Sequence, residues 1–186
     1  NRYSDLSIYL NPILDSSRCD NYIDLVLLQA KSLYQIGEYD PSIVYFEEYK
    51  ELKDTLTRAQ LYQMGIGYYH KGLYGFAINH LNKILFEKED SITQYACYYL
   101  GDSYRKTKNY IEAMNAFRSA SLIDLDSVIQ HDSFYQFSIL CYEHDNLLYN
   151  PLQYLSEFIN KYPDSKHVDE LYSCLANTYL NTHNYD

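Results

Sequence analysis

The feature that most constrains the fold of this 186-residue chain is an internal repeat of about 36 residues. An aromatic or apolar residue returns at near-equal steps along the sequence, at Tyr3, Tyr39, Tyr74, Tyr110, Leu148 and Tyr185. The steps between these positions are 36, 35, 36, 38 and 37 residues. Self-similarity at such a period is typical of repeat proteins, in which each unit packs mainly on its neighbours.

Each repeat has the pattern of two amphipathic helices joined by a short turn. Apolar residues recur three and four positions apart in both halves of the unit, the spacing of one helix face. The turns between the halves contain Gly37, Gly72 and the pairs Asp40–Pro41 and Asn150–Pro151, which fit a helix cap followed by proline. The pattern predicts an all-α chain of about ten helices.

The unit resembles the tetratricopeptide repeat (TPR), which joins a Leu-Gly pair, a tyrosine, an alanine, an aromatic residue and a closing proline. The third unit matches with Leu100, Gly101, Tyr104, Ala113 and Phe117, and the second with Met64, Gly65, Tyr68, Ala77 and Leu81. The chain departs from the family at Leu61 and Cys97, where tryptophan is frequent, and has a closing proline only at Pro163. The resemblance covers essentially the whole chain. It implies a right-handed superhelix of antiparallel helix hairpins.

Two glycines fall inside predicted helices, where glycine costs about 1 kcal/mol relative to alanine. In a hairpin of this family the small residue of the first helix faces that of the second. Gly65 is therefore expected opposite Ala77, and Gly101 opposite Ala113, with close helix packing offsetting the cost. Phosphate binding at Gly65 is disfavoured because no G-K-S/T sequence follows it.

The repeat phase predicts a single array over residues 1–186, cut from a longer protein because both ends fall at the same phase. Its expected parts are 1–20 (a partial repeat and a loop), 21–55, 56–90, 91–127 and 128–165 (repeats 1 to 4), and 166–186 (the first helix of repeat 5). Pro12 predicts that residues 11–20 are irregular. The last helix is expected to lack its partner and to expose Leu171, Leu175 and Tyr179 unless something covers them.

Charge and motifs exclude several classes of function. The formal net charge of −10 and the lack of a basic cluster disfavour a nucleic acid partner. No apolar run approaches the roughly 18 residues that a membrane span needs. The cysteines, Cys19, Cys97, Cys141 and Cys174, match no zinc or disulfide pattern, and Cys141 with His144 is a lone candidate ligand pair. No catalytic motif occurs, so we expect no enzyme, cofactor or metal site.

The TPR resemblance implies a concave groove lined by first-helix residues just outside the packing positions. These residues are Tyr34, Tyr62, Tyr69, His70, Tyr98, Asp102, Arg105, Lys106, Gln136, Glu143 and Asn177. Aromatic anchors mixed with polar groups suit an extended peptide or a partner helix. The opposing hypothesis is that several of these tyrosines pack between repeats.

The predicted function is therefore a non-catalytic scaffold that binds a protein or peptide segment in a tyrosine-rich groove. Two alternatives stay open: a structural spacer that self-associates through the ends of the array, and a regulatory TPR region of a larger multidomain protein. The full sequence of the gene would separate the last alternative from the others.

A second resemblance concerns the compartment. Residues 158–185 are similar to repeats of bacterial envelope proteins, namely the periplasmic protein associated with the Tol–Pal system and the lipoprotein of the outer-membrane β-barrel assembly machine. The matching residues are Phe158, Tyr162, Pro163, Ser165, Leu171, Leu175 and Ala176. This resemblance implies the periplasm or the bacterial cell envelope, with the cytoplasm as the alternative.

Overall fold

The structure is a computed structural model that describes residues 2–16, 21–53, 55–85, 90–144 and 148–183. Within these ranges it contains ten α-helices and no strand, which confirms the all-α class. The helices are α1 (Arg2–Ser16), α2 (Tyr22–Gln35), α3 (Tyr39–Leu52), α4 (Arg58–His70), α5 (Tyr74–Leu81), α6 (Ser91–Lys106), α7 (Tyr110–Leu122), α8 (Ser127–Glu143), α9 (Pro151–Lys161) and α10 (Val168–His183). A short 3-10 turn, Asn82–Ile84, continues α5.

The chain forms two compact units, Asn1–Glu87 and Lys88–Asp186. In the first unit α1 packs on α2, α2 pairs with α3, and α4 pairs with α5 while also contacting α2 and α3. In the second unit each helix packs on the next, from α6 to α10. In addition α8 contacts both α6 and α10, so these three helices form one layer, which we call the first-helix layer.

Glycines inside the first helices make room for large side chains, not for alanines. A Cβ atom added at Gly101 would lie 2.7 Å from the ring of Phe117, and one at Gly65 would lie 2.5 Å from Leu81. The side chains nearest to the glycines are thus Phe117 and Leu81, where the sequence predicted Ala113 and Ala77. Phe117 and Leu81 are at most 1% exposed, and their burial offsets the helix-propensity cost of glycine.

The turns inside three hairpins share one geometry. Gly37 and Gly72 have φ values of +83° and +76°, and Lys108 has the equivalent left-handed backbone with φ +63°. The amide of the following residue closes each turn; for example, Asn109 N–H donates to the Tyr104 carbonyl at 2.8 Å. This bond is the 6→1 contact of a Schellman motif, which favours glycine at the left-handed position. Lys108 takes that position at a steric cost.

α1 continues through Pro12, so the expectation of an irregular segment is wrong for residues 11–16; residues 17–20 lie outside the described ranges. Proline removes the intrahelical hydrogen bond to the carbonyl four residues earlier, at Ile8. Both residues lie on the exposed side of α1, where water can satisfy that carbonyl.

Contacts of the residues before the proline hold α1 on α2. The buried Gln29 side chain donates from Nε2 to Ser7 Oγ at 3.0 Å and to Asn11 Oδ1 at 2.6 Å. Buried polar groups that lose their partners cost about 1–3 kcal/mol, so this network favours a continuous helix over a loop.

The last helix is better covered than its sequence predicts. Leu171 is fully buried against Leu155 and Phe158 of α9, and Leu175 is half-buried in the same cluster, so the expected exposure of these two leucines is wrong. The reason is that α10 packs on both α8 and α9. Tyr179 is 48% exposed, as expected.

Candidate protein-binding surface

The predicted site residues divide between the two units, and each unit is described on its own. In the second unit the first-helix layer carries seven of them: Tyr98, Asp102, Arg105 and Lys106 on α6, Gln136 and Glu143 on α8, and Asn177 on α10. Lys106, Glu143 and Asn177 are exposed, whereas Gln136 is half-buried.

Tyr98 links α6 to α8. Its hydroxyl donates to Asp132 Oδ2 at 2.8 Å, and its ring lies edge-on to Phe117, with centroids 5.9 Å apart. Burial and the bond to Asp132 raise the pKa of Tyr98, so the hydroxyl stays a donor at any physiological pH. Tyr98 therefore serves packing between successive repeats, the role that the opposing hypothesis gave to these tyrosines.

The same arrangement recurs one repeat later, between α8 and α10. The Tyr135 hydroxyl donates to Glu170 Oε2 at 2.8 Å, and burial together with this bond raises the pKa of Tyr135. Sequence reasoning missed Asp132, Tyr135 and Glu170. A usable signal was present, because each carboxylate follows its tyrosine by one repeat, 34 and 35 residues respectively.

Asp102 and Arg105 form an ion pair on α6. Arg105 Nε donates to Asp102 Oδ1 at 3.1 Å, and a second guanidinium nitrogen contacts the same oxygen. The Asp102 carboxylate is 9% exposed and the Arg105 side chain 40% exposed. Because a buried carboxylate without a partner is costly, the pairing with Arg105 offsets the burial of Asp102, and part of the guanidinium stays at the surface.

In the first unit the predicted residues join an aromatic cluster. Tyr34 and Tyr69 pack against the core built around Phe46 and Met64, and Tyr62 is half-buried on α4. The exposed His70 ring stacks on Tyr39 with centroids 4.2 Å apart. The part of the ring that is removed from water lowers the pKa of His70. These rings thus combine packing with partial exposure.

Cys141 and His144, the candidate pair of metal ligands, both pack against other side chains. Cys141 is fully buried with Sγ 3.8 Å from the Met114 sulfur, and the His144 ring stacks on Tyr110 at 3.5 Å between centroids. Burial raises the pKa of Cys141 to about 12, which keeps the thiol protonated. Among the described residues no group of three or more His, Cys, Asp or Glu side chains has metal-binding geometry. None of the described helices is long and apolar enough to cross a membrane.

Comparison with solved structures identifies the fold. The chain aligns with YrrB, described as a TPR protein with an unusual peptide-binding site, at a TM-score of 0.66 and 16% identity, over 95% of this chain and 85% of that one. The chain has the TPR fold. A double mutant of MamA RS-1 aligns with a TM-score of 0.63 and 14% identity, over 99% of this chain and 88% of its own. MamA AMB-1 aligns with a TM-score of 0.63 and 17% identity, over 91% of this chain and 90% of its own.

At sequence identities of 14–17%, the similarity to these TPR proteins shows a shared fold and nothing about function. A scan against models of protein families gives no match, and neither does a comparison with curated protein sequences.

Proposed function

We propose that this chain is a non-catalytic scaffold whose first helices bind a protein or peptide segment. The observation that carries the proposal is the pair of hydrogen bonds that links the first-helix layer, Tyr98 to Asp132 and Tyr135 to Glu170. These bonds tie α6, α8 and α10 together before a partner arrives, and a preorganised surface loses less conformational entropy on binding. The peptide-binding site named for YrrB, which shares the fold, supports this function.

The charge of the layer indicates the chemistry of the partner. α6, α8 and α10 carry five carboxylates against two Lys or Arg side chains, and the whole chain has a net charge of −10. Electrostatic complementarity favours a segment rich in lysine and arginine, with aromatic or aliphatic residues between them that can contact the tyrosines. Because these charges are partly solvated, binding should weaken as salt rises.

Selection from a random peptide library displayed on phage tests the proposal. We expect retained peptides enriched in lysine and arginine, and we expect Glu143→Lys on the layer to lower their affinity. Glu112→Lys is the matched control, because Glu112 is an exposed carboxylate of the same unit on α7, outside the layer. Retained peptides that bind both variants equally, or failure to retain any peptide, would contradict the proposal.

Self-association is a second candidate function, favoured by the exposed apolar residues of α10. Tyr172 is 54% exposed, Tyr179 48% and Leu180 62%. A second copy of the chain that covered this face would remove apolar surface from water. Sedimentation velocity at two concentrations tests this function: a concentration-dependent dimer that Leu180→Glu abolishes supports it, and a monomer at both concentrations contradicts it.

The compartment that we propose is the bacterial cell envelope, and it rests on the resemblance of residues 158–185 to envelope repeats. Fractionation of the producing cells is the test. Release of the protein with the periplasmic or membrane fraction would support this location, and recovery with the cytosol would contradict it.

A further inference from the structure

A cleft in the second unit lies between α7 and α9, away from the first-helix layer. Both helices pack on α8, but among the described residues no Cα atom of α7 lies within 8 Å of a Cα atom of α9. The gap is a cavity of about 340 Å³, within the range of ligand-binding pockets. Phe134 and Phe137 of α8 line the cavity and are called its floor. Arg118 lines it from α7, and Tyr154, Glu157 and Lys161 line it from α9.

The floor is apolar and held in place by aromatic packing. Phe137 is 1% exposed, and its ring meets Tyr154 edge-on with centroids 4.8 Å apart. Tyr149, just before α9, bridges to α7 because its hydroxyl donates to Asn115 Oδ1 at 2.6 Å, and its ring lies 5.0 Å from Phe137. These contacts link the segment before α9 both to α7 and to the α8 floor.

Exposed apolar residues occur at the end of α7 and in the segment that follows it. Leu122, the last residue of α7, lines the cavity and is 67% exposed. Beyond it Leu125 and Val128 are 58% and 74% exposed. We call these three residues the apolar shelf. A ligand longer than the cavity would find apolar contacts along the shelf.

Two cations stand at the opening in a chain that is strongly acidic overall. Arg118 and Lys161 are both exposed, and neither forms an ion pair with a carboxylate in the part of the chain that the structure describes. Each lies near an aromatic ring: Arg118 is 5.9 Å from the centroid of Tyr149, and the Lys161 ammonium is 5.8 Å from that of Phe134. Such contacts hold the side chains near the cleft without neutralising them.

Glu157 adds a single acceptor to this cationic opening. Its carboxylate accepts a hydrogen bond from Gln153 Nε2 at 2.8 Å and lies on the same wall as Lys161. The cleft therefore presents two cationic donors, one carboxylate and an apolar floor. This combination matches a ligand that carries a carboxylate, an N–H donor and a large apolar side chain.

We propose that the cleft between α7 and α9 binds an apolar amino acid through its carboxylate, either free or as the C-terminal residue of a chain. The carboxylate of the ligand pairs with Arg118 and Lys161. The α-nitrogen of the same amino acid donates a hydrogen bond to Glu157. Its side chain packs on Phe134, Phe137 and Tyr154. For a chain terminus the preceding residues run over the apolar shelf.

Titrations of the whole chain with four phenylalanine derivatives, followed by NMR, test the proposal. L-phenylalanine represents the free amino acid, N-acetyl-phenylalanine a chain end, and a four-residue peptide ending in Phe adds the shelf contacts. Phenylalaninamide lacks the carboxylate and should bind at least tenfold more weakly than L-phenylalanine, because charge-assisted hydrogen bonds are among the stronger ones. Tightest binding by the peptide assigns the site to chain ends, and tightest binding by L-phenylalanine assigns it to the free amino acid.

Variants locate the site independently of the first-helix layer. Arg118→Gln and Lys161→Gln should each lower the affinity for the carboxylate ligands about tenfold, whereas Lys108→Gln in the turn between α6 and α7 should leave it unchanged. Equal binding of the amide and the acid, no binding of any derivative, or unchanged affinity in both cleft variants would overturn the proposal. Because the basic peptides above depend on Glu143 and these ligands on Arg118, failure of one proposal is distinguishable from failure of the other.

Discussion

Replacing Gly101 by alanine gives the sharpest test of how the hairpins pack. The new Cβ would lie 2.7–2.8 Å from three atoms of the Phe117 ring, including Cγ, which is closer than real Cβ contacts occur. Flipping the ring about its own axis leaves Cγ in place, so relief requires a shift of the side chain or of α7. We therefore expect an overpacking cost in the upper part of the usual 1–3 kcal/mol range.

Alanine also gains about 1 kcal/mol of helix propensity over glycine. The net expectation is a loss of about 1–2 kcal/mol in the free energy of unfolding, which lowers the melting temperature of a chain of this length by about 2–8 °C. Circular dichroism at 222 nm during thermal and urea unfolding measures both quantities. Gly75→Ala is the matched control, since Gly75 is a helical glycine whose added Cβ would meet no atom within 4 Å, and it should stabilise the chain slightly.

A double-mutant cycle identifies Phe117 as the cause. In the Phe117→Leu background, Gly101→Ala should cost at least 0.5 kcal/mol less than in the wild-type chain, because the shorter side chain leaves room for the methyl group. Stabilisation by Gly101→Ala alone, or additive effects in the cycle, would refute the packing described for this hairpin.

Three further predictions concern a turn, a buried histidine and two thiols. Lys108→Gly should stabilise the chain by about 1 kcal/mol in urea unfolding, because it relieves the left-handed backbone at φ +63°; no gain would contradict that strain. Burial lowers the pKa of His80 below its usual 6.5, so stability should be fully present above that pH and fall as the pH drops below it, with a smaller fall in His80→Gln; an equal fall would contradict the role of His80. Burial raises the pKa of Cys97 to about 11 and that of Cys141 to about 12, so iodoacetamide at pH 8 should label both only after unfolding, as mass spectrometry would show.

The hairpins could be predicted because they depend on local periodicity. Helix faces, turn residues and the glycines of α4 and α6 all recur at the repeat period, and the structure places α-helices over them. The partner of Gly101 could not be predicted in the same way, since Ala113 and Phe117 lie on one face of α7 and the sequence does not say which side chain fills the space. The irregular segment predicted from Pro12 was wrong for a related reason. Contacts of Gln29, which lies on α2, outweigh the local helix-breaking effect of the proline.

The candidate surface could be predicted only in outline. The repeat phase identifies which positions lie on the first helices, but the role of each tyrosine depends on a residue one repeat away, as for Tyr98 and Asp132. The cleft between α7 and α9 could not be predicted from a sequence pattern. It depends on the spacing between two helices and on Arg118 and Lys161, which line it from different helices.

Hydrogen–deuterium exchange of the chain, with and without a basic peptide selected from the library, tests the central claim most directly. The account predicts added protection of backbone amides in the first-helix layer, above all in α6 and α8, with little change in α7 and α9. Protection confined to α7 and α9, or no change anywhere, would contradict the claim that the first helices bind the partner.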